Sequence, residues 1–315
     1  MSSPTAESDT TSLAARAGAF PANTVDVLSK LTAQQLEDYE RDGYLVIRDW
    51  VTRDQLLALQ SSAEAILDAF DPSAFRSVFT TSAQEKVVDD YMLDSGDQVR
   101  CFFEADAFDA NGDLRYAKNK SINKIGHALH ERDPAFRAYS ASTPFKQLCA
   151  SLGMQDPRLA QSMYIFKQPF IGGKVGAHQD SAFLYTEPQT CVGLWVALDD
   201  ATRDNGCMYA VPGSHKAGLR TRYRLRTETN AETGEVTRKT YFTPPVAETD
   251  LKMEGGVCLD VPAGSLVVLH GALVHYSFEN KSAAQRHAYT LHVVDGGAEW
   301  AKDNWMQREE PFPGF

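Results

Sequence analysis

Short apolar or alternating runs fill the chain from residue 161 onward, and they constrain the fold more than any other feature of the sequence. Turn-forming pairs separate them, including Gly172-Gly173, Asn205-Gly206 and Pro212-Gly213. Short strands divided by glycine and proline turns are typical of β-sandwiches and jelly rolls. The sequence therefore predicts a mostly β protein with flanking helices, whose strands fall within residues 161–167, 175–185, 192–198, 207–211, 219–227, 257–261, 265–270, 273–278 and 287–294.

The amino-terminal region carries the signals of two helices. Thr32 and Thr52 are each followed three residues later by a glutamine. This spacing fits a capping box, in which the two side chains satisfy backbone N–H groups at the start of a helix. We expect helices from these residues to about Asp42 and Phe70, with a strand at 44–47 between them.

Weaker patterns mark the middle of the chain. Residues 126–139 are predicted to be largely helical, with a break at Pro134. The Asn111-Gly112 pair is predicted to turn a hairpin that begins with a strand at 99–103.

Composition excludes several functional classes. Lys and Arg number 31 against 42 Asp and Glu, so the formal net charge is −11, which argues against binding to nucleic acid or to anionic membranes. No apolar run approaches the ~18 residues of a membrane-spanning helix. The first residues lack the basic start and apolar stretch of a secretory signal, so we expect a cytoplasmic protein.

The organisation predicted from composition is simple. Residues 1–29 are rich in Ser, Thr and Ala and are predicted to form a flexible tail. Residues 30–315 contain no repeat and no low-complexity linker, so we expect a single domain there.

The first candidate for chemistry is the run His178-Gln179-Asp180. On a strand, residues two apart face the same side, so an imidazole and a carboxylate are presented together, as two ligands of one metal ion would be. The chain has eight histidines, and about one such spacing is expected by chance. A surface histidine beside an aspartate is therefore the competing interpretation of this motif alone.

A second histidine pair strengthens the metal hypothesis. His270 and His275 lie near a predicted strand–turn–strand, and their five-residue spacing sends them to opposite faces of a continuous strand. One of them, with His178 and Asp180, would complete a facial triad of two histidines and one carboxylate. Such a triad leaves coordination positions open and suits non-haem Fe(II) oxygenases.

Arg286, in the strand that follows, is a candidate for binding a carboxylate. A guanidinium can grip a carboxylate through two parallel hydrogen bonds, and 2-oxoglutarate has a free carboxylate at the end remote from its metal-chelating group. Ser277 shares the face of His275 and offers a hydroxyl to the same carboxylate. Taken alone, Arg286 is more simply explained as a surface or salt-bridged arginine.

Several longer motifs resemble the phytanoyl-CoA dioxygenase family of Fe(II)- and 2-oxoglutarate-dependent oxygenases. Residues 195–207 and 211–215 resemble the family's central signature, and 31–52 resembles its opening segment. The runs 120–130 and 161–169 are similar to one branch of the family. The resemblance extends over about 31–313.

This resemblance implies a double-stranded β-helix, the cupin-like jelly roll, with the metal inside. It implies iron ligands His178, Asp180 and His275, and it assigns Arg286 and Ser277 to the remote carboxylate of 2-oxoglutarate. Three further residues fall where the family lines the cosubstrate pocket: Lys120, Met163 and Trp195.

The function implied is hydroxylation of an unactivated C–H bond of a small organic substrate, with succinate and CO2 as co-products. The cofactors implied are Fe(II), 2-oxoglutarate and O2, with ascorbate as an optional reductant. A non-catalytic sensor that binds 2-oxoglutarate or metal remains the alternative. The substrate (an acyl-CoA thioester, another lipid-like acid or a natural product) and the oligomeric state stay open.

The resemblance is weakest between residues 216 and 260, which we expect to form a lid or insertion. Within it, Arg220, Arg222, Arg224 and Arg226 alternate with uncharged residues, which places four guanidinium groups on one face of a strand. Two interpretations stand: a charged edge strand that blocks aggregation, and a dock for an anionic substrate group.

Overall fold

The structure is a computed structural model that describes residues 30–79, 89–245 and 251–315. The flexible tail predicted for residues 1–29 lies outside the described residues and stays a prediction.

Two antiparallel sheets form the body of the molecule. The larger sheet has seven strands, in the order β1 (Tyr44–Ile47), β12 (Leu266–His270), β7 (Val192–Ala197), β14 (Ala288–Asp295), β4 (Pro157–Ile165), β3 (Ile122–His127) and β2 (Val99–Phe103). The smaller sheet has four, in the order β11 (Val257–Leu259), β8 (Met208–Ala210), β13 (His275–Ser277) and β5 (Val175–His178). Strands distant in sequence are neighbours in both sheets, as in a jelly roll.

Two further antiparallel pairs of strands lie outside these sheets. β9 (Arg222–Thr229) pairs with β10 (Val236–Thr243), and β6 (Thr186–Glu187) pairs with β15 (Glu299–Trp300). The β9–β10 pair lies inside the segment predicted to be a lid or insertion.

Six α-helices flank the sheets: α1 (Ala33–Asp42), α2 (Arg53–Ala69), α3 (Asp90–Leu93), α4 (Leu129–Arg132), α5 (Pro134–Ser140) and α6 (Thr143–Ser151), counted over the described ranges. Both predicted capping boxes are present, at Thr32 with Gln35 and at Thr52 with Gln55. In each box the two side chains accept hydrogen bonds from backbone N–H groups that have no partner within the helix, which explains why α1 and α2 begin where the sequence indicates.

The main hydrophobic core fills the space between the seven-stranded sheet and the helices. Alternate residues of β14, Tyr289, Leu291 and Val293, point into it and are 0% exposed. Leu59 of α2 and Phe136 of α5 pack against the same cluster. This packing holds the sheet in place. The residues of β14 that lie between these three therefore point to the opposite face of the sheet.

The predictions for the middle of the chain hold in part. Residues 129–132 and 134–140 are helical, with the predicted break at Pro134, but 126–127 belong to β3, which is held by ladders to both β2 and β4. The predicted strand at 99–103 is present as β2, but it pairs with β3, and Asn111-Gly112 turns within the long connection between them, flanked only by a single bridge between Phe108 and Leu114. Long-range pairing overrides local propensity in both cases.

β10 was not among the predicted strands. Its polar and apolar residues do not alternate, Thr240 is its one buried residue, and it pairs along its whole length with β9. The fold class predicted from the sequence, a mostly β jelly roll with flanking helices, is confirmed. No helix within the described ranges is long and apolar enough to cross a membrane.

Candidate metal centre

The structure brings His178, Asp180 and His275 together. His275 opens β13 directly opposite His178, the last residue of β5, and their ring centroids lie 4.1 Å apart. Asp180 begins a short 3-10 helix just after β5. One ligand atom from each of the three residues lies within 4.8 Å of the others. Of the two candidates His270 and His275, the structure places His275 beside the pair, whereas His270 packs against His215 outside the cluster, with ring centroids 4.9 Å apart.

Backbone carbonyls fix the tautomer of both histidines. His178 Nδ1 lies 2.9 Å from the carbonyl oxygen of Gly176, and His275 Nδ1 lies 3.1 Å from that of Leu273. A carbonyl oxygen only accepts, so Nδ1 of each ring carries the proton and donates it. Each Nε2 is then a lone-pair donor, which is the state required of a metal ligand.

The Asp180 carboxylate faces both of these nitrogen atoms. Its Oδ1 lies 3.6 Å from Nε2 of His178 and 3.5 Å from Nε2 of His275. These separations are too long for hydrogen bonds but fit atoms that share one ion at about 2 Å. Asp180 Oδ2 is buried without a hydrogen-bond partner among the described residues. The donor set therefore fits a divalent metal such as Fe(II).

His292 supports the carboxylate from β14. Its Nε2 lies 3.4 Å from Asp180 Oδ2. Gly193 of β7 makes room on the same side, since a Cβ there would lie 2.7 Å from Asp180 Oδ2. The site thus depends on a small residue and a histidine that face it from two strands of the larger sheet.

Burial and mutual proximity set the charges of the cluster. Burial, reinforced by His275, lowers the pKa of His178 to about 4, which keeps its imidazole neutral near pH 7. Burial would raise the pKa of Asp180, but the adjacent His275 and His292 hold it well below its usual range. An ionised carboxylate beside a neutral imidazole is the combination that binds a cation.

Arg286 is a buried cation without a partner. Its side chain is 3% exposed, and among the described residues its guanidinium forms no hydrogen bond or salt bridge. Its Cζ lies 5.4 Å from the ring centroid of Trp195. Burial lowers its pKa to about 10. A desolvated cation of this kind is costly unless an anion reaches it, so the pocket is suited to a carboxylate.

The other predicted pocket residues divide into two groups. Met163 and Trp195 lie on β4 and β7, both aligned with Thr290 of β14, on the inner side of the larger sheet. Ser277 is buried at the end of β13, and its hydroxyl accepts a hydrogen bond from Lys167 at 2.9 Å.

Lys120 is exposed and donates to the side chain of Gln285 at 3.1 Å. Its role in the pocket stays a prediction.

Sequence reasoning missed two buried lysines. Lys124, 6% exposed, lies on β3 with its Nζ 3.8 Å from Sδ of Met163. Lys167, 2% exposed, follows β4. A lysine on a strand usually indicates the solvent face, so the pattern gives no sign of burial. One signal could have indicated the position of Lys167. It follows Ile165, the last residue of β4, by two residues, and a strand period of two places it on the same side as Met163.

The alternating arginines are largely compensated. Arg222 and Arg224 both bind the carboxylate of Asp303, and Nε of Arg226 lies 3.0 Å from Glu228. This pairing favours a structural role for most of the basic face of β9. The side chain of Arg220 is exposed and forms no ion pair with the described residues.

A family model places these residues in a wider context. The model described as "Phytanoyl-CoA dioxygenase (PhyH)" matches residues 39–288, which include all three residues of the candidate metal centre. The chain belongs to the phytanoyl-CoA dioxygenase family. The resemblance noted in the sequence is thereby confirmed.

Curated members of the family match along almost their whole length. A phytanoyl-CoA dioxygenase of Arabidopsis thaliana is 44% identical over 283 residues, covering 90% of this chain and 95% of the relative. Phytanoyl-CoA dioxygenase domain-containing protein 1 of Bos taurus is 42% identical over 294 residues, covering 90% and 98%.

Solved structures show the same fold at lower identity. EctD from S. alaskensis, solved with 2-oxoglutarate and 5-hydroxyectoine, superposes with a TM-score of 0.60 at 20% identity, covering 89% of this chain and 85% of that chain. With the family and the His-Asp-His cluster, the enzyme class predicted from the sequence, a non-haem iron dioxygenase, is confirmed.

Proposed function

We propose that this protein hydroxylates an unactivated C–H bond of a small organic substrate, with Fe(II), 2-oxoglutarate and O2 as cofactors. In the overall reaction, substrate, O2 and 2-oxoglutarate give hydroxylated substrate, succinate and CO2. The observation that carries the proposal is the convergence of two histidines, each with its tautomer fixed, on the Oδ1 atom of Asp180.

His178, Asp180 and His275 would hold the iron through Nε2, Oδ1 and Nε2. Bound there, Fe(II) supplies the oxidising chemistry that no side chain performs. Asp180 and His275 are nearly inaccessible, whereas a quarter of the His178 side chain is exposed. Substrate would therefore approach on the His178 side, while the protein excludes water from the other side.

The remote carboxylate of 2-oxoglutarate would be held by Arg286 and Ser277. Support comes from the unpartnered guanidinium and from the place of Ser277, two residues beyond a metal ligand on the same strand. The apolar surfaces of Met163 and Trp195 would enclose the chain between the two ends of the cosubstrate. EctD, solved with 2-oxoglutarate, shows that the fold accommodates this cosubstrate.

The same geometry also suits a sensor that binds 2-oxoglutarate without turnover, and one experiment separates the two. Anaerobically purified protein receives Fe(II) and 2-oxoglutarate, then O2, and succinate is measured beside His178→Ala and the control His215→Ala. We expect succinate from the wild type and from His215→Ala, but not from His178→Ala. Tight 2-oxoglutarate binding without succinate, including in the presence of acyl-CoA and free-acid substrates, would favour the sensor. Absence of both binding and turnover would contradict the proposal.

A further inference from the structure

Lys167 and Arg286 face each other at the end of the larger sheet. Ala288 of β14 aligns with Ile165 of β4, and two more residues along each antiparallel strand bring Arg286 opposite Lys167. The backbone N–H of Arg286 donates to the carbonyl of Lys167 at 3.4 Å, which continues the ladder. Like charges directly opposite on one face are destabilising. This juxtaposition therefore needs an explanation.

The Lys167 ammonium is buried and only partly satisfied. Its Nζ donates to the carbonyl of Gly173 at 2.7 Å and to the hydroxyl of Ser277 at 2.9 Å. An ammonium has three donors, so one remains without a partner among the described residues. Burial, and then the charge of Arg286, lowers the pKa of Lys167 well below its usual value. Both effects disfavour the charged form of Lys167, because the ammonium is removed from water and lies near a second cation.

The nearest carboxylates are directed elsewhere. Glu104 uses its Oε2 to accept from the Asn123 side chain at 2.9 Å and from the Gly173 N–H at 3.2 Å. Asp199 aligns with Arg286 from the other side but accepts from the backbone of His287 at 2.9 Å. Neither forms a salt bridge with Lys167 or Arg286 within the part of the chain that the structure describes. Glu104 is close enough to influence both cations and its Oε1 has no hydrogen-bond partner, but no carboxylate of the described residues forms a hydrogen bond or an ion pair with either of them.

We infer that Lys167 is a second cationic ligand of the remote carboxylate of 2-oxoglutarate. This inference rests on the function proposed above. Arg286 and Lys167 would bind the carboxylate from opposite sides, with the Ser277 hydroxyl between them. Two cations make the pocket selective for 2-oxo acids that carry a second carboxylate, over those that end in a methyl group.

A purely structural role for Lys167 predicts different behaviour. As a tie between the loop at Gly173 and β13, Lys167 would be needed for the shape of the pocket. Its loss would then weaken every 2-oxo acid equally and lower the thermal stability. As a ligand of the carboxylate, its loss weakens only those cosubstrates that carry the carboxylate.

The test compares Lys167→Met with the wild type, using 2-oxoglutarate and 2-oxovalerate, which has the same chain length but no second carboxylate. Binding to the Fe(II) protein is measured under anaerobic conditions, and KM and kcat are measured in air. Loss of one charge-assisted hydrogen bond weakens binding by ~10–100-fold. We expect this loss for 2-oxoglutarate and a change of less than about twofold for 2-oxovalerate, with KM affected more than kcat.

Two controls keep the outcomes distinct. Lys281→Met removes an 80% exposed lysine from the loop before Arg286 and should leave both affinities unchanged. Thermal unfolding of the ligand-free Lys167→Met protein should be unchanged or raised, because a buried charge without an anion is removed. Equal losses for both ligands, or no loss for either, would overturn the inference. Failure of the wild type to bind 2-oxoglutarate would instead contradict the proposed function.

Discussion

The two faces of the seven-stranded sheet are made from the same strands but from opposite kinds of residue. Toward the helices, β14 presents Tyr289, Leu291 and Val293, all fully buried in one apolar cluster. Toward the smaller sheet, the same strand presents Thr290 and His292. Because successive side chains of a strand point to opposite faces, β14 can pack in the core on one face and line the candidate metal centre on the other.

β7 and β4 repeat this division. Leu194 and Val196 of β7 join the apolar cluster, whereas Gly193 and Trp195 face the candidate metal centre and Arg286. The buried lysines also belong to the inner face or to its continuation. Substitutions on the two faces should therefore separate stability from metal and cosubstrate binding, and the predictions that follow test this separation.

The largest effect is expected on the inner face, for Asp180→Asn. The amide keeps the shape of the side chain but removes the charge that offsets a divalent ion. Turnover should fall by more than the ~10–100-fold that loss of a supporting group around a metal costs. Succinate formation and the iron content after desalting measure the effect. An Asp180→Asn protein that retains iron and activity would contradict the assignment of the metal centre.

The matched change on the outer face is Leu291→Ala. Its side chain is 0% exposed, so its truncation should lower the free energy of unfolding by ~2–5 kcal/mol. Iron affinity of the folded protein should be unchanged. Denaturant titration and anaerobic iron binding below the unfolding transition measure the two quantities. Equal damage to both would show that the faces are not separable.

An intermediate effect is expected for His292→Phe, which keeps a ring on the inner face of β14 but removes the nitrogen beside Asp180. Iron affinity should fall by ~10–100-fold, with little loss of stability. Competition with a chelator gives the affinity. If iron binds as tightly as in the wild type, His292 is only a packing residue.

A smaller effect is expected from acid. Burial, then the charges of Lys124 and His292, lower the pKa of His127 to about 3 from an ordinary value of about 6.5. In that interval the unfolded chain takes up a proton that the folded protein does not. The iron-free protein should therefore lose stability as pH falls below about 6.5. Denaturant titrations at pH 7 and pH 5 should show a smaller decrease for His127→Gln, and an equal decrease would count against this cause.

Sequence patterns predicted the fold class and the proximity of His178 and Asp180, because both depend on local periodicity. The period of two placed His178 and Asp180 together, and the capping boxes placed α1 and α2. The ladder that joins β13 to β5 decides that His275 lies beside them, and no local pattern records it. Local patterns therefore left the choice between His270 and His275 open, and only the resemblance to the family indicated His275.

The pocket was harder to predict, because burial of charge is a tertiary property. Lys167 is an ordinary surface residue by composition, and it becomes notable only when the β4–β14 register brings Arg286 opposite it. Lys120 and Lys124 occupy similar sequence surroundings, yet only Lys124 is buried, because it lies on β3 between two other strands. β10 was not predicted because its polar and apolar residues do not alternate, so its sequence carries no strand pattern.

One measurement tests the central claim most directly, which is that the inner face of the sheet is an Fe(II) and 2-oxoglutarate site. A 2-oxo acid that chelates Fe(II) gives a visible charge-transfer absorption under anaerobic conditions. Adding 2-oxoglutarate to the Fe(II)-loaded wild type and to Leu291→Ala should produce this absorption with one equivalent of iron, and Asp180→Asn should not produce it. Absence of the absorption in the wild type, or its persistence in Asp180→Asn, would contradict the account.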